Sequence, residues 1–172
     1  MTHHRRRNNG TEPSKINEIV ELSPAQRYAA FKQTQAKQRT VAAEFARSMP
    51  FELDEFQMQA NDALEAGDNV LVAAPTGAGK TVAADFAIYL AQTRNVKAFY
   101  TTPIKALSNQ KYHDLVDQYG TDKVGLLTGD TSINSEADIV VMTTEVLRNM
   151  LYEHSVTLEA LRYVVLDEVH YL

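Results

Sequence analysis

The chain has 172 residues, 44% of them hydrophobic, which suits one globular domain with its own core and argues against a disordered chain. It has no cysteine, which excludes disulfides, cysteine nucleophiles and cysteine–zinc sites, and no apolar run approaches the roughly 20 residues that cross a bilayer. The net charge of -5 divides unevenly: residues 1–48 hold nine Lys/Arg against four Asp/Glu, and residues 49–172 hold eight against eighteen. An acidic body argues against a broad electropositive surface, and the basic arm reads as solvated charge before it reads as a phosphate contact.

Residues 1–22 are polar, carry Gly10 and Pro13, and read as flexible. Met1 to Arg7 is charged with no apolar stretch behind it, so no secretory signal is expected and a cytoplasmic location is the default. Ser23-Pro24 is a helix start, Ser as N-cap and Pro at the first position, and Met49-Pro50 ends that helix near Ser48. Its apolar positions are sparse (Tyr28, Phe31, Val41, Phe45), which predicts a partly exposed arm packing weakly on the domain. Residues 1–48 thus form an extension, and a domain spans 49–172.

Within the domain, residues 54–66 read as a helix stopped by Gly67, with Leu53, Phe56, Ala60 and Leu64 on one face. Residues 69–73 form an apolar strand, residues 74–81 a glycine-bearing loop, and residues 82–90 a helix. Further strands are expected at 96–102, 124–128, 138–143 and 163–166, with helices at 105–119 and 145–153 between them. Strands that alternate with helices and are apolar on both faces predict a parallel sheet covered on two sides.

The loop reads Ala74-Pro75-Thr76-Gly77-Ala78-Gly79-Lys80-Thr81. A strand, then a glycine-bearing loop ending in Gly-Lys-Thr, then a helix is the setting of a phosphate-binding loop. Such a loop turns backbone N–H groups toward one point, and the helix start adds unpaired N–H groups and the positive end of its dipole. Gly77 and Gly79 permit the close approach, Lys80 reaches the β- and γ-phosphates, and the Thr81 hydroxyl ligates Mg²⁺. Ala74 stands where the usual pattern has Gly. Asp167 and Glu168 end the last strand, on the sheet edge where the loop also lies. An Asp there can hold Mg²⁺, and a Glu beside it can orient or deprotonate water.

Asp167-Glu168-Val169-His170 resembles the DExH box of superfamily two helicases, and Ala74 to Thr81 resembles their motif I. Thr101-Thr102-Pro103-Ile104-Lys105-Ala106-Leu107-Ser108-Asn109-Gln110 resembles motif Ia. Leu127-Thr128-Gly129-Asp130 and Thr143-Thr144-Glu145-Val146-Leu147-Arg148 resemble the next two strand-binding motifs, and residues 51–57 the adenine-reading segment. The set is most similar to the DExH branch that includes the RNA-exosome helicases and their bacterial relatives, over roughly residues 51–172.

The resemblance implies an α/β fold, a RecA-like parallel sheet with helices on both faces, and use of ATP and Mg²⁺. It implies that Gly77, Ala78 and Gly79 lend N–H groups to phosphate, that Thr81 and Asp167 hold the metal, and that Glu168 activates water. Gln57 would read the adenine edge, Phe51 would stack on the ring, and His170 would couple the ATP site to a second domain. On the residues alone, Phe51 is equally a core aromatic, and Gln57 is alternatively an exposed helix residue. Thr102, Pro103, Lys105, Thr128, Gly129, Thr144 and Arg148 would line a track for single-stranded RNA or DNA, with Thr144 also serving as a helix N-cap.

The family continues with a Ser-Ala-Thr motif and a second RecA-like domain, and this chain ends at Leu172. The expectation is therefore an incomplete first helicase domain with a gap at its sheet centre, inactive alone. A non-catalytic nucleotide- or nucleic-acid-binding module is the alternative. A metabolic phosphate-loop kinase leaves the strand-binding motifs unexplained.

Overall fold

The computed structural model describes residues 39–75 and 77–169, with positions 23, 25, 26, 28, 29 and 32 of the preceding segment. The chain divides into two compact units, residues 1–37 and 38–172. In the first, Ser23 N–H donates to Gln26 Oε1 at 2.8 Å and Gln26 N–H to Ser23 Oγ at 3.3 Å, the reciprocal pair that marks a helix start.

The second unit begins with helix α1 (Val41–Ser48). It is a separate helix, not the end of a long arm. The Thr40 side chain caps Ala43 N–H at 3.1 Å, and the Glu65 carboxylate accepts the N–H groups of Val41 (3.0 Å) and Ala42 (2.8 Å). Weak packing is the expectation for this segment, yet Phe45 is only 1% exposed, against the rings of Phe86 and Tyr89. Burying that side chain stabilises by about 1.5–3 kcal/mol. A short helix with few apolar positions is anchored when one of them is a fully enclosed aromatic.

Helix α2 (Glu55–Ala66) ends on Gly67 as expected; of its expected face Ala60 is buried and Leu53 and Leu64 pack against the core around Phe45, and Gln57 and Asn61 are buried beside them. Helix α3 (Thr81–Thr93) follows the glycine-bearing loop, and strand β1 (Lys97–Thr102) follows α3. Helix α4 (Lys105–Tyr119), β2 (Val124–Thr128), β3 (Thr131–Ile133), β4 (Ile139–Thr143), α5 (Thr144–Tyr152), a 3-10 turn (Val156–Leu158) and β5 (Leu161–Leu166) complete the unit. The sheet order is β3-β2-β4-β1-β5. Four strands are parallel, and β3, which no sequence signal predicts, returns antiparallel to β2. Gly125 makes that return possible: a Cβ there would meet the Asn134 carbonyl oxygen at 2.1 Å.

Strand alternation sorts the core into two layers. Ala98, Tyr100, Val124, Leu126, Ile139 and Val141 face Ile88 and Ala91 of α3 and Leu115 of α4. Phe99, Val140 and Met142 face Leu147 of α5 on the other side. A third cluster joins α1 to α3 through Ala42, Phe45, Val82, Phe86 and Leu90.

Two expectations fail at the β5 edge. Residues 69–73 form no strand, and Leu71 is 81% exposed. Strand β5 is not covered on both faces: Val164 and Leu166 are 44% and 48% exposed. The two observations share a cause, because a strand is held by pairing with a neighbour, and nothing among the described residues pairs with the outer side of β5.

Candidate nucleotide and nucleic-acid site

The loop before α3 is held from inside. Lys80 Nζ donates to the carbonyls of Ala74 (2.7 Å) and Pro75 (3.3 Å), which centres its charge in the loop. Ala78 N–H donates to Pro75 O at 3.2 Å, so that group is spent within the loop. Thr76 lies outside the described residues. Thr81, exposed, opens α3; the N–H groups of Val82 and Ala83 in its first turn donate to Gly79 O (3.2 Å) and Lys80 O (3.3 Å).

Gln57 is buried, so it is no exposed helix residue. Its Oε1 accepts Asp54 N–H at 2.8 Å and its Nε2 donates to Gly79 O at 3.0 Å, which ties the start of α2 to the loop. Both ends of the amide are engaged inside the protein. Gly79, at φ +75°, leaves room for it: a Cβ would stand 2.5 Å from Gln57 Nε2. Phe51 is 52% exposed and is no core aromatic; it lines an open groove with Arg47, Met49, Leu53 and Met58.

At the opposite end of the chain Asp167 is half-buried and held at three points. Its N–H donates to Thr101 O at 3.0 Å. Its Oδ2 accepts from Tyr100 Oη at 2.7 Å, and its Oδ1 from Glu168 N–H at 2.8 Å. Burial first, then the Asp167 carboxylate, push the Tyr100 hydroxyl far above the usual tyrosine range, so it remains a donor. Glu168 is exposed and takes a left-handed backbone, φ +52°. His170 lies outside the described residues.

The loop helix and Asp167 share one edge. Lys111 Nζ of α4 lies 2.7 Å from Asp85, one turn into α3, and 4.8 Å from the centre of the Tyr100 ring, whose hydroxyl holds Asp167. Thr81 and Asp167 supply oxygen donors only, and among the described residues no group of three or more His, Cys, Asp or Glu converges as a metal site. That donor set fits Mg²⁺, which takes one or two protein oxygens and completes its shell with water and phosphate.

The expected strand-track residues cluster at the ends of β1, β2 and β4, but they divide by orientation. The threonine hydroxyls turn inward. Thr102 Oγ1 donates to Ile104 O and meets Ser108 Oγ at 2.7 Å, Thr128 Oγ1 donates to Asp130, and Thr144 Oγ1 donates to Thr102 O. The cap of α5 is Thr143, not Thr144. Lys105, Gly129 and Arg148 face outward and Pro103 is half-buried. Lys105 pairs with Asp130, and Arg148 stands 3.9 Å from Glu145.

Sequence reasoning passes over Tyr100, Lys111 and Asp85. The one visible signal is a tyrosine inside a strand whose packing asks only for apolar surface. Lys111 and Asp85 look like ordinary surface charges in one dimension.

A phosphate-type loop and a strand-end Asp-Glu on one edge of a parallel-dominant sheet define a P-loop nucleotide-binding domain of the RecA-like kind. Residues 54–172 match the DEAD/DEAH box helicase family, and the chain belongs to that family of ATP-dependent helicases. It is 62% identical over 128 residues to the probable helicase HelY of Mycobacterium tuberculosis, covering 74% of this chain and 14% of that protein. It is 51% identical over 127 residues to the antiviral helicase SKI2 of Saccharomyces cerevisiae, covering 74% of this chain and 10% of that protein. The chain thus spans about a tenth to a seventh of these relatives. Among solved structures it resembles the DUF1998 helicase MrfA bound to DNA and AMPPNP (TM-score 0.60, 29% identity, 76% of this chain and 20% of that one). It also resembles the Mycobacterium smegmatis helicase Lhr bound to single-stranded DNA and AMP-PNP (TM-score 0.52, 28% identity, 83% and 20%). No helix among the described residues is long and apolar enough to cross a membrane.

Proposed function

We propose that this chain is the ATP-binding and strand-contacting part of a DExH-box helicase acting on RNA or DNA. The observation that supports this is the chain of contacts from Asp85 of α3, the helix that Lys80 precedes, through Lys111 and Tyr100 to Asp167 at the end of β5. In this reading the loop from Ala74 to Thr81 receives the phosphates, and Lys80 exchanges the Ala74 and Pro75 carbonyls for phosphate oxygens. Thr81 and Asp167 hold Mg²⁺, which when bound offsets phosphate charge. Glu168 orients and deprotonates the attacking water. Phe51 offers a ring face to the adenine. Gln57 acts on the base only by releasing Gly79 or Asp54; as it stands it tethers the loop. Lys105, Gly129 and Arg148 meet the backbone of a single strand, and a second RecA-like domain closes over the nucleotide, with His170 at the junction. The cytoplasm, where ATP and RNA meet, is the location that goes with this activity.

The test is Glu168→Gln in the full-length protein. It should keep ATP binding and lose nucleic-acid-stimulated hydrolysis, because an amide cannot accept the proton. Full turnover in the variant would remove Glu168 from the chemistry. A binding module without turnover is the second reading for the chain as it stands. It is favoured by the irregular course of residues 68–75 and the open side of β5, which leave the loop without a paired strand beneath it.

A further inference from the structure

Tyr100 is 1% exposed, in the middle of β1, with aliphatic neighbours from α3, α4, β2 and β4. For packing alone a phenylalanine would serve. A buried phenol adds a hydroxyl that needs a partner, and here the partner is the Asp167 carboxylate at 2.7 Å. The opposite charge stands over the same ring: Lys111 Nζ lies 4.8 Å from its centre and is fixed there by Asp85 at 2.7 Å. The Lys111 side chain is 14% exposed and that of Asp85 33%, so this pair is partly withdrawn from water, unlike the pair Lys105–Asp130 at 47% and 68%.

From these contacts we infer that Tyr100 and Lys111 are positioning residues for Asp167, with Asp85 as the anchor that ties them to the helix behind the phosphate loop. The inference rests on the reading of Asp167 as the Mg²⁺-holding carboxylate. A carboxylate that has to meet a small ion at near-ideal geometry gains from being held beforehand. Tyr100 takes Oδ2, the Glu168 N–H takes Oδ1, and together they fix the carboxylate plane against rotation about χ2. The tyrosine ring is in turn kept from tilting by the ammonium over its face. Because Asp85 is one turn from Thr81, the chain of contacts sets Asp167 relative to the other expected metal donor, on a different element.

The experiment is a Mg²⁺ titration of fluorescent ADP binding by the full-length protein, with Tyr100→Phe, Lys111→Met and Asp167→Asn. Tyr100→Phe should raise the Mg²⁺ concentration for half-maximal binding by about tenfold, the low end of what a hydrogen bond to a charged group is worth. Affinity for ADP without Mg²⁺ should stay as in the parent. Lys111→Met, which keeps the length of the side chain, should shift the Mg²⁺ requirement the same way by less. Asp167→Asn should abolish the Mg²⁺ dependence. Loss in Asp167→Asn with an unchanged requirement in Tyr100→Phe would overturn the positioning role and leave the metal reading standing. An unchanged requirement in Asp167→Asn would overturn the metal reading and the inference with it. Equal weakening of ADP binding with and without Mg²⁺ in Tyr100→Phe would mark a loosened core, and would also overturn it.

Discussion

Lys105 and Asp130 hold each other across the mouth of the expected strand track: the ammonium sits 2.6 Å from one carboxylate oxygen and 2.8 Å from the other. Lys105, with Thr128 behind it, keeps the Asp130 carboxyl below the usual carboxylate range. A phosphate arriving at Lys105 competes with this internal anion. Asp130→Asn should therefore tighten single-strand binding by about two- to fivefold, as expected for an exposed pair. Lys105→Ala should weaken binding and lower the salt slope by about one ion, uniformly across sequences. Filter binding or anisotropy at several salt concentrations checks both. Weaker binding in Asp130→Asn would mean that the aspartate organises the track instead of competing with it.

Gly77 and Gly79 both hold a left-handed backbone, and Gly79 is the one of the two at which a Cβ would also meet a neighbour. Gly79→Ala meets Gln57 Nε2 at 2.5 Å and holds a left-handed φ of +75°. The backbone alone costs about 1–2 kcal/mol there. The variant should lose the Gln57–Gly79 tether and bind ADP more weakly, while Gly129→Ala, where a Cβ meets nothing within 4 Å, should leave ADP binding as it was. Calorimetric titration of both variants decides; equal behaviour would contradict the tether.

Phe45 belongs to the core and not to a loose arm. Phe45→Ala should destabilise the domain by about 3–5 kcal/mol, the range for emptying an enclosed aromatic site. Urea unfolding followed by hydrogen exchange in residues 41–48 measures it. A change under about 0.5 kcal/mol, the range of ordinary surface positions, would return α1 to the status of a detachable extension.

Tyr119 carries a buried hydroxyl with no partner among the described residues. Burial first, then the charges of Asp85 and Tyr89, push it up to about 12. Its neutral form is favoured in the folded state, while the unfolded chain ionises near pH 10. Stability present below pH 10 is thus lost as pH rises from about 10 to about 12. Tyr119→Phe should lose less stability than the parent across that window, and at pH 7 should be neutral or slightly stabilising. Denaturation curves at pH 7, 10 and 11 check the sign. A marked loss at pH 7 would reveal a hydrogen bond to Tyr119.

The order of elements was legible in one dimension because each signal is local. Residues 105–119 and 124–128 were bounded correctly by Gly120 and by a change of period, and the loop from Ala74 to Thr81 and the pair Asp167-Glu168 identify themselves by spacing. What depends on neighbours was not legible. Residues 69–73 have the composition of a strand, but a strand exists only with a partner, and they pair with no strand among the described residues. Gln57 and the threonines 102, 128 and 144 carry the same polar groups whether they face a ligand or the protein; Thr102 and Thr128 are turned in by partners within six residues, Ile104, Ser108 and Asp130, while only the tertiary structure turned in Gln57 and Thr144, by bringing the Gly79 and Thr102 carbonyls within hydrogen-bond reach. Phe45 shows the reverse case, since its burial was decided by Phe86 and Tyr89 on a helix distant in sequence. Composition and spacing therefore determined which chemistry the chain carries, and packing determined which atoms are available to perform it, because a hydrogen bond or an enclosed surface is a property of two segments and no single segment contains it.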